Sequence, residues 1–245
     1  MSAPAAFPGA RPALYASIFL AWGASLFWFH PRLASLMQLA HGPLTAGALG
    51  FFIVFTEIAW LYGFYNVGVI VFACTTGSLV HGIGWDRELI GRIERAGGRP
   101  ATTTTTAVLA ALRAVGATSL AIATPYMDDL NRIERAFFAE SGFRVAEIAG
   151  LGCATDAEIG RLEPEEAAVL AERVDTPDVD AVFISCTNWH CLPAVASMER
   201  RFGKPVVTSN QAGAWAALRR IGIEDAIPGH GRLLSLPIPM EAIAT

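Results

Sequence analysis

From Val67 onward, short runs rich in Val, Ile, Ala and Phe alternate with stretches whose apolar residues recur every three or four positions. Strict alternation and short buried runs signal strands, whereas a recurrence near 3.6 signals helices. The pattern predicts strands over 67–73, 119–124, 144–149, 180–185 and 205–208. Helices are predicted over 86–97, 104–115, 128–141, 164–174, 191–202 and 211–221. Strands that alternate with helices build parallel βαβ units. Before Val67 the pattern is different. Residues 13–29 form an uncharged, aromatic-rich run, broken by His30-Pro31-Arg32. Residues 44–65 form a second run with Glu57 as its only charge and Trp60, Tyr62 and Tyr65 near its end. Two long apolar runs with interfacial aromatics predict a membrane-spanning helical hairpin.

Charge divides the chain in the same place. Of the 245 residues, the first 85 carry only Arg11, Arg32 and Glu57 as charged groups. The net charge of −4 gives no footprint for nucleic acid. The four cysteines (Cys74, Cys153, Cys186, Cys191) form no CxxC pair. They read as reduced thiols in a cytoplasmic compartment, and Cys153 and Cys191 read as structural. A zinc reading of Cys186, His190 and Cys191 lacks a second ligand pair.

The chemistry lies at the strand ends. Two apolar runs finish in Cys-Thr, at Cys74-Thr75-Thr76 and at Cys186-Thr187-Asn188. Others finish in Thr124-Pro125-Tyr126 and Thr208-Ser209-Asn210. Parallel sheets bind ligands beyond the carboxyl ends of their strands. Helix starts following such ends offer free N–H groups to a carboxylate and favour a thiolate. Asn188, Asn210 and Thr76 could equally cap helices, and the threonine run 102–106 reads as a cap before the helix that follows.

Several of these segments, in this order, resemble the maleate cis-trans isomerase and arylmalonate decarboxylase family of the aspartate/glutamate racemase superfamily. The resemblance covers residues 67–234. It rests on Cys74-Thr75-Thr76-Gly77-Ser78, Thr103-Thr104-Thr105-Thr106-Ala107, Ala123-Thr124-Pro125-Tyr126, Ile159-Gly160-Arg161-Leu162, Ser185-Cys186-Thr187-Asn188, Pro205 to Ala212 and Gly229-His230-Gly231-Arg232-Leu233. It implies an α/β fold of two Rossmann-like lobes with parallel sheets, and an active site between them that needs neither cofactor nor metal. The implied division is 66–103 with 212–240 for a partial first lobe, 104–211 for the second, and 1–65 as a separate hydrophobic segment. The resemblance also implies that Cys74 is a nucleophile and Cys186 its acid/base partner. Thr75, Thr76, Tyr126, Thr187 and Asn188 would bind a small dicarboxylate such as maleate. Two cysteines favour isomerase or racemase chemistry over the decarboxylases, which carry glycine at the first position.

Residues 1–65 contain nothing like the family's opening strand and its Pro-Ser-Ser-Asn-like loop. That departure predicts weak or absent activity, and its alternative is a membrane-anchored lobe without catalysis. Membrane association through residues 13–65 follows from the apolar runs, and self-association into a homo-oligomer is left open.

Overall fold

The computed structural model describes residues 67–237. They form a mixed α/β arrangement with two parallel sheets. The smaller sheet pairs β1 (Ile70–Phe72) with β2 (Ala101–Thr103), joined through α1 (Thr75–Leu79) and α2 (Trp85–Gly97). The larger has the order β4-β3-β5-β6, from β3 (Ser119–Thr124), β4 (Arg144–Gly150), β5 (Ala181–Ile184) and β6 (Val206–Thr208). Its helices are α3 (Thr104–Ala114), α4 (Asp128–Glu140), the short α5 (Asp156–Ile159), α6 (Pro164–Val174), α7 (Val195–Phe202) and α8 (Ser209–Arg220).

The central strands are buried on both faces, as parallel strands must be when helices cover both sides. Successive side chains on a strand point to opposite faces. Leu120, Ile122 and Phe183 therefore pack on one side with Phe137, Phe138 and Trp215. Ala121, Ala123, Val182 and Ile184 pack on the other with Leu170, Trp189 and Val195. The pairing of Ala123 with Ile184 aligns the ends of β3 and β5, so Thr124 and Ser185 emerge at one edge.

Helix starts follow the strands closely because the last strand residue caps the next helix. Thr103 accepts the Thr106 N–H, and Thr208 accepts the Gln211 N–H in a capping box. Side-chain caps of this kind satisfy N–H groups that the first helical turn leaves free. Elsewhere Pro164 starts α6, where its missing N–H is harmless, and Asp128 and Asp129 favour the positive end of α4.

Most predicted elements are present within two residues of their expected ends. The strand expected over 67–73 forms only at Ile70–Phe72. The threonine run hides β2, because Ala101–Thr103 pair with β1 before the helix begins. The helix expected from 191 opens as a 3-10 turn at Leu192–Ala194, where Pro193 lies in the first turn. No described helix is long and apolar enough to cross a membrane, and the runs over 13–29 and 44–65 lie outside the described residues.

Candidate active site

Cys74 sits two residues beyond β1 and is itself the cap of α1, with extended backbone at φ −146°. Its Sγ accepts the Gly77 N–H at 3.3 Å, and the Thr76 hydroxyl lies 3.6 Å away. A thiol thus occupies a position where a hydroxyl or carboxylate is usual, and the helix start orients the sulfur. Cys74 is half-buried. Beneath it the Ser78 hydroxyl donates to the Cys74 carbonyl at 2.8 Å, and the buried Thr75 hydroxyl donates to Ser209 Oγ at 3.0 Å.

Cys186 follows β5 and is buried. Its φ of 97° makes it the only non-glycine with positive φ among the described residues. That conformation costs a side-chain-bearing residue roughly 1–3 kcal/mol and persists only where the surroundings hold it. Here the Cys186 N–H donates to Ser209 Oγ at 3.1 Å, and the preceding Ser185 N–H donates to the Ala123 carbonyl at 2.9 Å. The twist lets the Asn188 N–H reach Cys186 Sγ at 3.4 Å.

Burial pushes the Cys186 thiol up, and Glu134 and Asp156 add to the effect. The nearby Tyr126 hydroxyl and the Asn188 N–H, which donates to the sulfur, oppose it. Tyr126 is buried as well. Its phenol is raised far above the ordinary range by burial first, then by Glu134 and Cys186, so it stays a neutral donor. Cys191 is pushed up to about 12, chiefly by burial, which suits a packed, unreactive thiol.

The two cysteine turns meet at one atom. Ser209 Oγ accepts both from the Cys186 N–H and from the Thr75 hydroxyl. Next to it the Thr187 hydroxyl donates to the Ala73 carbonyl at 3.1 Å, tying the Cys186 turn to the residue before Cys74. Asn210 closes the junction by donating to the Thr187 carbonyl at 3.0 Å. A cavity of about 170 Å³ opens there, walled by Val71, Ala73, Thr104, Thr187, Ser209 and Gly213 among others. Neither cysteine lines it.

Each residue singled out from the sequence therefore has a definite place. Cys74, Thr75 and Thr76 form one turn, and Thr187 joins it to the other. Cys186, Asn188 and Tyr126 cluster at the second turn. Two of them carry structural duties: the Thr75 hydroxyl is committed to Ser209, and Asn188 Nδ2 donates to the Asp156 carbonyl at 2.7 Å. Among the described residues, no group of three His, Cys, Asp or Glu could hold a metal ion, so the Cys186, His190, Cys191 zinc reading has no support.

Sequence reasoning missed Asn131 and Glu134 and gave Ser209 no role at the site. Ser209 was visible only as a residue at a strand end, and nothing local showed that it faces two loops. Asn131 and Glu134 carried a signal. Both lie on the buried stripe of α4 with Phe137 and Phe138, where apolar residues are expected. Asn131 accepts the Thr124 hydroxyl at 2.5 Å and donates to the Tyr126 carbonyl at 3.5 Å, fixing the turn that carries Tyr126.

Fold and site together define a parallel α/β protein that presents two thiols from strand ends, linked through one serine. The sequence profile of the arylmalonate decarboxylase family matches residues 63–234, and the chain belongs to that family. It is 36% identical over 171 residues to the arylmalonate decarboxylase of Bordetella bronchiseptica, covering 69% of this chain and 71% of that one. It is 34% identical over 172 residues to the maleate isomerase of Nocardia farcinica, covering 68% of each. A solved structure of a Nocardia farcinica maleate cis-trans isomerase, a cysteine-to-serine variant with a covalently bound succinylcysteine intermediate, superimposes with a TM-score of 0.67. The two are 29% identical, with 78% of this chain and 81% of that one covered.

Proposed function

We propose that this protein is a cofactor-independent cis-trans isomerase of a small dicarboxylate such as maleate. The observation that carries the reading is the junction at Ser209, which draws together two cysteine turns 112 residues apart in sequence, at Cys74 and Cys186. The two lobes would be 66–103 with 212–240 and 104–211.

The two sulfurs suit different tasks. Cys74 is the more accessible and is oriented by a helix start, so it is the nucleophile. Its thiolate forms a C–S bond to one alkene carbon, and the π pair moves to the neighbouring carbon beside a carboxylate. Cys186, held as a thiol by burial, gives its proton to that carbon. Rotation about the resulting single bond exchanges the cis and trans arrangements. The Cys186 thiolate then takes a proton back, the C–S bond breaks and the Cys74 thiolate returns. Tyr126 stabilises the transient Cys186 thiolate as a neutral donor. Thr75, Thr76, Thr187 and Asn188 would hold the two carboxylates chiefly through backbone N–H groups, since the Thr75, Thr187 and Asn188 side chains donate within the fold.

Turnover of maleate to fumarate by the full chain tests this reading. Cys74→Ser and Cys186→Ser should each lower kcat by about 10³-fold or more, since each removes a step of the cycle. Turnover indifferent to both substitutions would overturn it. Cys74 gives the arylmalonate decarboxylase reading a direct control, because a decarboxylase would release carbon dioxide from an arylmalonate, and no such release is expected.

A further inference from the structure

We propose that Glu134 is a positioning residue of this site, acting through Cys186: neutral, it permits the Cys186 thiol to give up its proton, and ionised, it blocks that step. The inference rests on the reading of Cys186 as the acid/base group.

Glu134 lies on α4 and is fully buried, at 0% exposure. Neither carboxyl oxygen has a well-formed hydrogen bond. Structural buried carboxylates in this molecule look different. Glu199, at 8% exposure, accepts the Val206 N–H at 3.1 Å and the Arg232 N–H at 2.9 Å. Asp86, at 6%, accepts the Thr106 hydroxyl at 2.6 Å. Glu134 has no such partner, so packing alone gives no account of why a carboxyl is kept there.

Its neighbours are the site. Asn131, one turn earlier on α4, holds the Tyr126 carbonyl. Ser185, adjacent to Cys186, is the nearby hydroxyl that favours the Glu134 carboxylate, and its own Oγ is buried without a well-formed partner. Tyr126 and Cys186 both sense the Glu134 charge. The other charged groups around α4 are turned elsewhere. Arg135 donates to the Val145 carbonyl at 2.7 Å. On β4, Arg144 is exposed and paired with Asp178 at 3.0 Å, and Glu147 is exposed. Asp156 adds a smaller effect on Cys186 of the same sign as that of Glu134.

Burial raises Glu134 to about 7. Below that pH the carboxyl is neutral and a transient Cys186 thiolate meets no opposing charge. Above it the carboxylate repels the thiolate, the Cys186 thiol is driven higher still, and proton transfer from it slows. Asn131 gives this coupling its geometry, since it holds the Tyr126 turn against the face of α4 that carries Glu134.

The test compares the full-length wild type with Glu134→Gln, which keeps the shape of the neutral acid. Iodoacetamide alkylation is followed from pH 5.5 to 9.5, and peptide mass spectrometry separates Cys186 from Cys74. At pH 8 the Cys186 of Glu134→Gln should react about 10-fold faster than that of the wild type, the size expected of one nearby buried charge. Cys74 should be unchanged. Superimposable Cys186 profiles would overturn the inference. If Glu134→Gln does not fold, the wild type decides by itself: a Cys186 profile with an extra inflection near pH 7 supports the inference, and a single titration overturns it. Where turnover is measurable, the wild type should lose kcat above pH 7 while Glu134→Gln keeps it to higher pH. Absence of turnover with the alkylation difference intact would sink the isomerase reading and leave the coupling standing.

Discussion

Among the described residues, Cys74 follows a strand of three half-buried residues in a two-stranded sheet, whereas Cys186 follows a strand buried at all four positions inside the four-stranded sheet. The first sulfur is oriented by one helix turn and stays half-exposed. The second is buried, sits on a backbone twist that favours glycine, and has Tyr126, Asn188 and Glu134 around it. The difference teaches how one chain obtains two roles from the same side chain. A thiol in contact with solvent and a helix start can serve as a nucleophile. A thiol deep in the core, where the charged form is penalised, holds its proton until chemistry demands it. Among the described residues the two environments accompany sheets of different size, four strands with helices on both faces around Cys186 and two strands beside Cys74.

Glycine substitutions at the two turns should break this comparison most sharply. A Cβ at Gly150 would stand 2.1 Å from the Tyr126 carbonyl oxygen and 2.5 Å from Asn131 Nδ2. The first of these is backbone and cannot swing away. Gly150→Ala should therefore destabilise the protein by about 4 kcal/mol. On the Cys74 side, a Cβ at Gly77 would meet Cys74 Sγ at 3.1 Å and the Phe72 ring edge at 3.2 Å, both side chains that can yield. Gly77→Ala should cost about 1 kcal/mol or less in stability. Urea denaturation of both variants measures the contrast, and equal losses would mean that the Tyr126 turn is no more rigid than the Cys74 turn.

The sequence made the larger sheet far more legible than the junction. Strands β3 and β5 are continuous apolar runs bounded by polar ends, and Pro164, Asp128 and Thr208 mark their helices by known capping chemistry. β2 was hidden because Ala-Thr-Thr is short and runs into a helix whose cap is one of its own residues. At the site, the residue types at strand ends pointed to Cys74, Cys186 and Tyr126. The Ser209 link and the positive φ of Cys186 are products of tertiary placement, since Ser209 lies 134 residues from Thr75 in the chain. Glu134 was readable in principle, as a carboxyl at a position where helix periodicity calls for an apolar residue.

That carboxyl, buried without a well-formed hydrogen-bond partner, gives the Cys186 side a pH dependence in stability, whereas the buried acid on the Cys74 side, Asp86, accepts the Thr106 hydroxyl at 2.6 Å. In the unfolded chain Glu134 titrates near its ordinary 4.5, and in the fold near 7. Below pH 4.5 both states carry the proton and there is no penalty. As pH rises through 7 the unfolded state has already ionised, so folding retains a proton at growing expense. The loss levels off above pH 7 at about 3 kcal/mol. Thermal melts of wild type and Glu134→Gln should coincide near pH 4 and separate by pH 8, with Glu134→Gln the more stable at pH 8. Parallel curves across that range would mean that the carboxyl finds a partner the fold does not show.

The smallest expected effect separates the two cysteines by backbone alone. At Cys186 the φ of 97° strains every residue with a Cβ, so Cys186→Gly should be more stable than Cys186→Ala by about 1 kcal/mol. At Cys74 the φ is −146°, open to any residue, and the position is a helix cap where glycine is preferred to alanine. There the greater chain entropy of unfolded glycine offsets the capping preference, and Cys74→Gly and Cys74→Ala should agree to within a few tenths of a kcal/mol. Chemical denaturation of the four variants gives the two differences directly. A glycine advantage at 74 equal to that at 186 would show that the twist at Cys186 carries no strain, and would remove the reason for treating its conformation as held in place for the chemistry of its sulfur.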